Sequence, residues 1–359
     1  MVYLLSLAAL IAVLGLTPPK FGLRQNNDKN YMLICGTVVA LVMGLRTYLT
    51  GSMDTYSYMS MYKSLQNFES FQPYYDKRLS DVEFLFSESA FYYCAWLLGR
   101  VFKDPQAIVF FSSVYITWAT CRFIYKNSAD APMSLLMYVC LGMFTFNMNG
   151  MRQACAMATC LFAFEFAKDR KIIRFALTVI LAMLFHKSAI FFAPVFFVPF
   201  IKDSWGNVFI FLIIVFGIVL SFDQLLPWFN EATGKEYEND GGTDTGGISV
   251  VLIYVIAIVF SFLINALQKP EIRVPFLCVL TGFCMYLGRY MTTEIMERSS
   301  YYYYYFSILL IPGLIKELNE DEQKIVKILL IVFSIALFAY RLYVGNFRDF
   351  KFFYLARRF

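Results

Sequence analysis

The chain has 359 residues, of which 59% are hydrophobic, 19% aromatic and only 16% charged, with a formal net charge of +5. Repeated apolar stretches, each long enough to enter a bilayer, exclude a soluble globular protein. The surplus positive charge lies in short connections and at the C-terminus, which reads as membrane topology and excludes nucleic acid as a partner.

In chain order, Met1 to Leu16 is apolar and has neither a basic leader nor a small-residue cleavage site before Pro18-Pro19. It is therefore predicted to be a retained first helix rather than a removed signal peptide. Lys20, Arg24 and Lys29 place the first connection in the cytoplasm by the positive-inside tendency, and a second span follows over 31 to 46. That span ends in Gly44-Leu45-Arg46, and Gly51-Ser52-Met53-Asp54-Thr55-Tyr56-Ser57-Tyr58 lies just beyond it. Arg46 and Asp54 admit two readings: an interfacial arginine with a helix N-cap, or an anion ligand with a catalytic base. The loop from Thr47 to Ser80 is then predicted outside.

Further segments fall near 84 to 102, 106 to 125, 132 to 147 and 152 to 168. They end at Lys168-Asp169-Arg170-Lys171-Ile172-Ile173-Arg174, whose four positive charges against one negative place it inside. An outer loop before and an inner one after require an odd number of crossings, so one of the four segments must fail to cross. The region from Val82 to Val101, with Glu83 and Glu88 among Phe84, Phe86, Phe91, Tyr92 and Tyr93, suits a surface or re-entrant amphipathic segment.

That assignment puts the run Phe146-Asn147-Met148-Asn149-Gly150-Met151-Arg152-Gln153-Ala154 toward the outer side. An arginine at the centre of a membrane helix costs about 2.5 to 3.5 kcal/mol even on lenient scales, so one between apolar runs normally faces a protein interior or wet cavity. The guanidinium fork of Arg152, with Gln153 and Asn149 beside it, suits a lipid-borne phosphate. The plainer reading is an arginine snorkelling to the interface.

Segments at 172 to 186 and 188 to 201 are predicted as a short hairpin whose tip, His186-Lys187-Ser188, reaches the outer side. His186 is the only histidine. It either satisfies a local hydrogen bond or acts on a sugar hydroxyl or phosphate, as donor or general base, with Lys187 adding positive charge. After a span at 206 to 222, the loop from Asp223 to Gly247 carries six acidic residues against Lys235 alone and is predicted outside. Spans at 248 to 267, 273 to 291, 299 to 316 and 325 to 344 complete the chain.

Within them, Arg289, Arg298 and the run Tyr301 to Tyr305 form a last constellation. It reads either as an interfacial aromatic belt or as a second phosphate site with a sugar-stacking platform at Tyr302. The eight cysteines lie inside apolar segments without a CxxC pair, and no histidine cluster or Gly-rich phosphate loop occurs. No metal and no cofactor is expected. The fold class is all-α: one polytopic transmembrane domain over residues 1–359 with about 11 to 14 membrane segments, some short, broken or re-entrant.

Taken together, the ordered motifs resemble the EpsG/Wzy-like family of bacterial polysaccharide polymerases. They are Gly44 to Arg46 with Gly51 to Tyr58, Asn147 through Ala154, Phe185-His186-Lys187-Ser188-Ala189, and Arg298 followed by tyrosine up to Phe306. The chain departs by one inserted residue, having Gly51-Ser52-Met53-Asp54-Thr55 where the family usually shows Gly-Thr-Asp-Thr.

The resemblance implies a glycosyltransferase of GT-C type in the bacterial cytoplasmic membrane. It would join oligosaccharide repeat units carried on undecaprenyl diphosphate at the outer face, for capsule, exopolysaccharide or O-antigen. Arg152, His186 and Asp54 are then the expected catalytic residues. Arg46, Asn149, Gln153, Lys187, Arg289, Arg298 and Tyr302 are the expected substrate-binding ones, so that the active region is built from 44–58, 147–153, 185–189 and 289–305. The bilayer and the lipid-linked glycan are the partners, and a chain-length regulator and a flippase are compatible with them. A ligase using the same lipid carrier, or a flippase or transporter for lipid-linked sugars, are the rival readings.

Overall fold

A computed structural model of the protein describes residues 1–16, 28–49, 54–78, 87–233, 247–291, 294–345 and 347–355. Pro18 to Arg24, the Gly51 to Met53 part of the aspartate motif, Glu83, and Lys235 to Asp244 of the acidic loop lie outside the described residues. Among the described residues the fold is all-α, with one isolated antiparallel bridge between Arg46 and Phe352. Within the single membrane domain expected from sequence, the helices group into two compact units that interleave along the chain. One comprises residues 1–77, 90–158 and 319–359; the other comprises 78–89 and 159–318.

The first unit begins with α1 (Val2–Leu16) and α2 (Asp28–Gly44). Two helices of the stretch expected outside the membrane follow, α3 (Asp54–Leu65) and α4 (Gln72–Arg78), then α5 (Ser89–Val101) and α6 (Gln106–Asn127). Next come α7 (Ala131–Cys140), α8 (Met143–Asn149) and the start of α9 (Met151–Lys168). At 13 residues α5 is about 20 Å long, shorter than the ~30 Å hydrocarbon core.

α2 lies along α6 because two glycines let the backbones close in. A Cβ on Gly36 would stand 2.7 Å from Cys121 Sγ, and one on Gly44 3.2 Å from Phe110 Cα. α7 and α8 form one apolar passage bent by 52°. The bend has a local cause. Gly142 takes φ 105°, and the guanidinium of Arg341, from the last helix, occupies the place its side chain would need and donates to the Leu141 carbonyl at 2.5 Å. A carbonyl freed by a helix break in apolar surroundings is thus satisfied from within the protein.

The second unit continues α9 into α10 (Ile172–Met183), followed by 3₁₀ segments over Lys187–Phe196 and Val198–Phe200. Then come α11 (Trp205–Leu220), α12 (Phe222–Thr233), α13 (Ile248–Leu263), α14 (Pro270–Gly288), α15 (Glu294–Tyr304) and α16 (Ser307–Lys316). α14 is its hub and touches α11, α13, α15 and α16. α15 seats closely because a Cβ on Gly282 would stand 2.5 Å from Tyr303 Cβ and 2.6 Å from the Tyr254 hydroxyl.

Two expected spans change character here. The stretch 188 to 201 is 3₁₀ rather than α-helical, with Pro194 removing a backbone donor inside it. The stretch 299 to 316 is broken after Tyr304 and resumes at Ser307.

The chain then returns to the first unit with α17 (Glu320–Val344), started by a capping box between Asn319 and Glu322. Its Ile325, Ile328, Leu329 and Val332 are exposed, as are Phe209, Ile210, Ile213 and Ile214 of α11. Apolar faces of this kind are what lipid contact requires. Among the described residues three helices, α6, α14 and α17, are long and apolar enough to cross a membrane, α7 with α8 forms a bent fourth candidate, and α1, α10, α11, α13, α16 and the 3₁₀ stretch are shorter apolar segments.

Candidate functional site

The arginine that stands out in sequence is placed by a helix break in the first unit. α8 ends at Asn149, Gly150 adopts φ −83° and ψ 60°, and α9 starts again at Met151, so Arg152 lies in the first turn of an 18-residue helix. A helix start carries partial positive charge and backbone donors that a side-chain cation reinforces.

Arg152 is half-buried and held between two tyrosines. Its guanidinium carbon lies 5.7 Å from the Tyr58 ring centroid and 5.9 Å from that of Tyr92, and Nη1 donates to the Tyr92 hydroxyl at 3.0 Å. Phe91 meets the Tyr58 ring edge-on at 5.5 Å, and Tyr74 approaches Tyr92 at 5.8 Å. Each cation–π contact is worth about 0.5 to 2 kcal/mol, rising as water is excluded. The rings fix the guanidinium plane.

Arg46 occupies a different position from the one its sequence context suggests. It is completely buried and donates through Nη1 to the Met43 carbonyl at 2.5 Å and to Ser113 Oγ at 3.4 Å, and through Nη2 to the Met148 carbonyl at 2.5 Å. Gln106 adds to the clamp by donating to the carbonyls of Gly44 and Arg46. A guanidinium enclosed in this way has no face for a substrate phosphate. Arg46 instead ties the end of α2 to the last turn of α8, four residues before Arg152. Asn147 is likewise internal and donates to the Tyr138 hydroxyl at 3.0 Å. Gln153 is buried, while Asn149 is half-buried at the break itself. Asp54 opens α3, the helix that carries Tyr58, and is exposed.

His186 anchors a second cluster, built wholly within the second unit. It caps the 3₁₀ segment: Nδ1 accepts the Ser188 N–H at 3.3 Å and lies 2.7 Å from Ser188 Oγ. Ser188 Oγ is in turn 3.1 Å from the Tyr302 hydroxyl. On the other side of the ring, Nε2 faces Glu88 Oε1 at 3.6 Å.

Glu88 is buried and has φ 56°, a left-handed conformation that costs a residue with a side chain about 1 to 2 kcal/mol. Of the two readings of the Val82 to Val101 segment, surface or re-entrant, its burial excludes the surface one at this residue. Sequence did carry a signal for it, an acid in an aromatic run. Tyr58 and Tyr92 were missed as partners of Arg152, because tyrosines near a membrane boundary are too common to single out two.

The remaining candidates divide by burial. Lys187 is buried beside His186. Arg289 is buried and ion-paired with Glu297, whereas Arg298 is exposed on α15. Tyr302 to Tyr305 are no more than 1% exposed, so they form the core of their unit; a sugar ring has no surface to stack on there. Tyr303 donates to the Phe191 carbonyl and Tyr254 to that of Ser300, which accounts for two of the buried hydroxyls.

The second unit also contains an apolar cavity of about 640 Å³, lined by the outer face of the 3₁₀ segment and by α11 and α12, with Phe191, Phe197, Phe211, Phe222 and Trp228 in its wall. Among the described residues no group of His, Cys, Asp and Glu is arranged to hold a metal ion.

No curated protein and no solved structure gives a significant match to this chain. A family model, by contrast, runs from residue 29 to 355 and takes in the Arg46, Arg152 and His186 segments together, so the chain belongs to the EpsG family.

Proposed function

We propose that the protein is a membrane polysaccharide polymerase that joins oligosaccharide repeat units carried on undecaprenyl diphosphate at the outer face of the bacterial cytoplasmic membrane. Family membership and the apolar helices support the coarser statement, a membrane protein of polysaccharide biosynthesis. The observation that carries the finer one is Arg152. A half-buried guanidinium in the first turn of a long helix, held by two tyrosine rings, is the arrangement expected for a multiply charged leaving group.

In the reaction the growing chain moves from its lipid diphosphate to a hydroxyl of the incoming lipid-linked unit. The anomeric C–O bond to phosphate breaks as the new glycosidic bond forms. Charge builds on the diphosphate as it leaves, and a donor aimed at that charge is worth about 3 to 4 kcal/mol in the transition state. The activated donor is already present in the lipid diphosphate, so no nucleotide is required. The apolar cavity beside the 3₁₀ segment suits a polyprenyl chain, which needs only apolar walls.

Replacement of Arg152 by alanine tests the reading. Expressed at normal abundance in a strain lacking the protein, Arg152→Ala is expected to leave single repeat units and no long polymer. Normal polymer from that variant would remove the assignment. Accumulation of long chains still on the carrier would point instead to a ligase.

A further inference from the structure

We propose that the aromatic side chains of α5 and of the α4 region form a binding surface for the glycan of the substrate, running from Arg152 out to Tyr93 and Trp96. The inference rests on the polymerase reading above. It gives the sugars a site where the sequence pointed to Tyr302, a residue that is buried.

The rings that do have surface lie in the first unit, beside the arginine. Tyr92, whose hydroxyl accepts from Arg152 Nη1, has Tyr74 at 5.8 Å. Phe71 stands 5.9 Å from Tyr74 and 5.3 Å from Tyr93, and Tyr93 lies 5.8 Å from Trp96. Neighbouring rings therefore follow one another at 5.3 to 5.9 Å, close to the length of one sugar residue. Tyr74 is the buried support of this row, Phe71, Tyr92 and Trp96 are half-buried, and Tyr93 is 45% exposed.

The exposed end is held in a fixed shape. Tyr93 and Trp96 are three residues apart on one face of α5, and their planes are only 27° apart. Trp96 Nε1 donates to the Phe68 carbonyl at 3.1 Å, and the guanidinium carbon of Arg100 lies 4.9 Å from the indole centroid. Rings already held in place lose little freedom when a ligand stacks on them.

Polar groups on the same elements match a sugar better than a lipid. α4 carries exposed Gln72 and Asp76, with Gln72 donating to the carboxylate at 2.7 Å, and Arg100 is exposed on α5. A pyranose has a face of C–H groups and a rim of hydroxyls that both donate and accept. Aromatic faces accompanied by an amide, a carboxylate and a guanidinium offer a partner to each part. An acyl chain would match the rings alone and would desolvate the polar groups without replacing their hydrogen bonds.

The test uses the full-length protein in detergent and, as probe, the repeat-unit oligosaccharide released from its lipid by mild acid. A saturable change in tryptophan emission is expected. It should vanish in Trp96→Phe, which keeps a ring for stacking but removes one of the four tryptophans, and persist in Arg152→Ala. Tyr93→Ala is expected to weaken oligosaccharide binding about 10-fold and to raise KM for the lipid-linked substrate by a similar factor, with kcat and abundance close to those of the unaltered protein. Tyr93→Phe should keep both constants within a few-fold, which separates stacking from the hydroxyl. No emission change, a change that survives in Trp96→Phe, or an unaltered KM in Tyr93→Ala overturns the glycan surface. Quenching of Trp96 by brominated phospholipid in nanodiscs, without a response to oligosaccharide, would give these rings to the bilayer. Normal polymer from Arg152→Ala removes the polymerase reading and leaves the glycan surface standing wherever Trp96 still reports the oligosaccharide.

Discussion

At the scale of single residues, burial and partners sort the arginines into different environments. Arg152 is half-buried among rings, Arg46 is enclosed by carbonyls, Arg289 is locked to Glu297 and Arg298 is exposed. The enclosed one makes a prediction of its own. Arg46→Ala removes the donors that satisfy the Met43 and Met148 carbonyls, and a buried acceptor left without its partner costs about 1 to 3 kcal/mol. A fall in the thermal midpoint of the detergent-solubilised protein is therefore expected, together with loss of polymer. Arg46→Lys should fall in between, because a single ammonium cannot reach both carbonyls as the fork does. An Arg46→Ala protein as heat-stable as the unaltered one, yet unable to make polymer, would instead return Arg46 to the substrate. The sequence made Arg152 and His186 legible because a charge and a lone histidine in hydrocarbon are costly enough to need a reason. It could not separate Arg46 from Arg152, since both follow an apolar run and only the enclosure by Met43, Ser113 and Met148 tells a clamp from a ligand.

At the scale of elements, the candidate side chains stand where helices break. Arg152 follows the Gly150 interruption between α8 and α9, and His186 stands where α10 gives way to a 3₁₀ segment. Sequence indicated most of the apolar segments because their lengths are set by the bilayer. It did not indicate the breaks, which depend on partners distant in the chain. Gly142 is the clearest case: Leu141 is satisfied by Arg341, 200 residues later. Gly142→Ala would force a side chain into φ 105° and displace that guanidinium, for a cost of at least about 2 kcal/mol. Thermal unfolding of Gly142→Ala, Arg341→Gln and the double variant should show strong non-additivity, because both changes abolish one contact. Simple addition of the two losses would mean that the bend does not depend on that contact. The cavity offers a second element-level test: Ala193→Trp, placed in its wall, is expected to raise KM for the lipid-linked substrate several-fold while leaving thermal stability unaltered.

At the scale of the whole molecule, the proposed chemistry depends on which side of the membrane the extramembrane helices occupy. The assignment comes from charge alone. Lys168 to Arg174 carries four positive charges and is placed inside, and the connection holding α3 and α4 is placed outside. Both connections have exposed positions suited to labelling, Glu69 between α3 and α4 and Asp169 after α9. An impermeant maleimide applied to intact cells, with the unaltered chain as background for Cys94, should modify Glu69→Cys readily. Asp169→Cys should react only after the membrane is permeabilised. The reverse pattern would put the helix that carries Tyr58 in the cytoplasm, where activated sugars are nucleotide-linked. A lipid diphosphate would then no longer be the natural anion for Arg152. The sidedness of one short helical connection therefore constrains the substrate as strongly as the geometry around the arginine does.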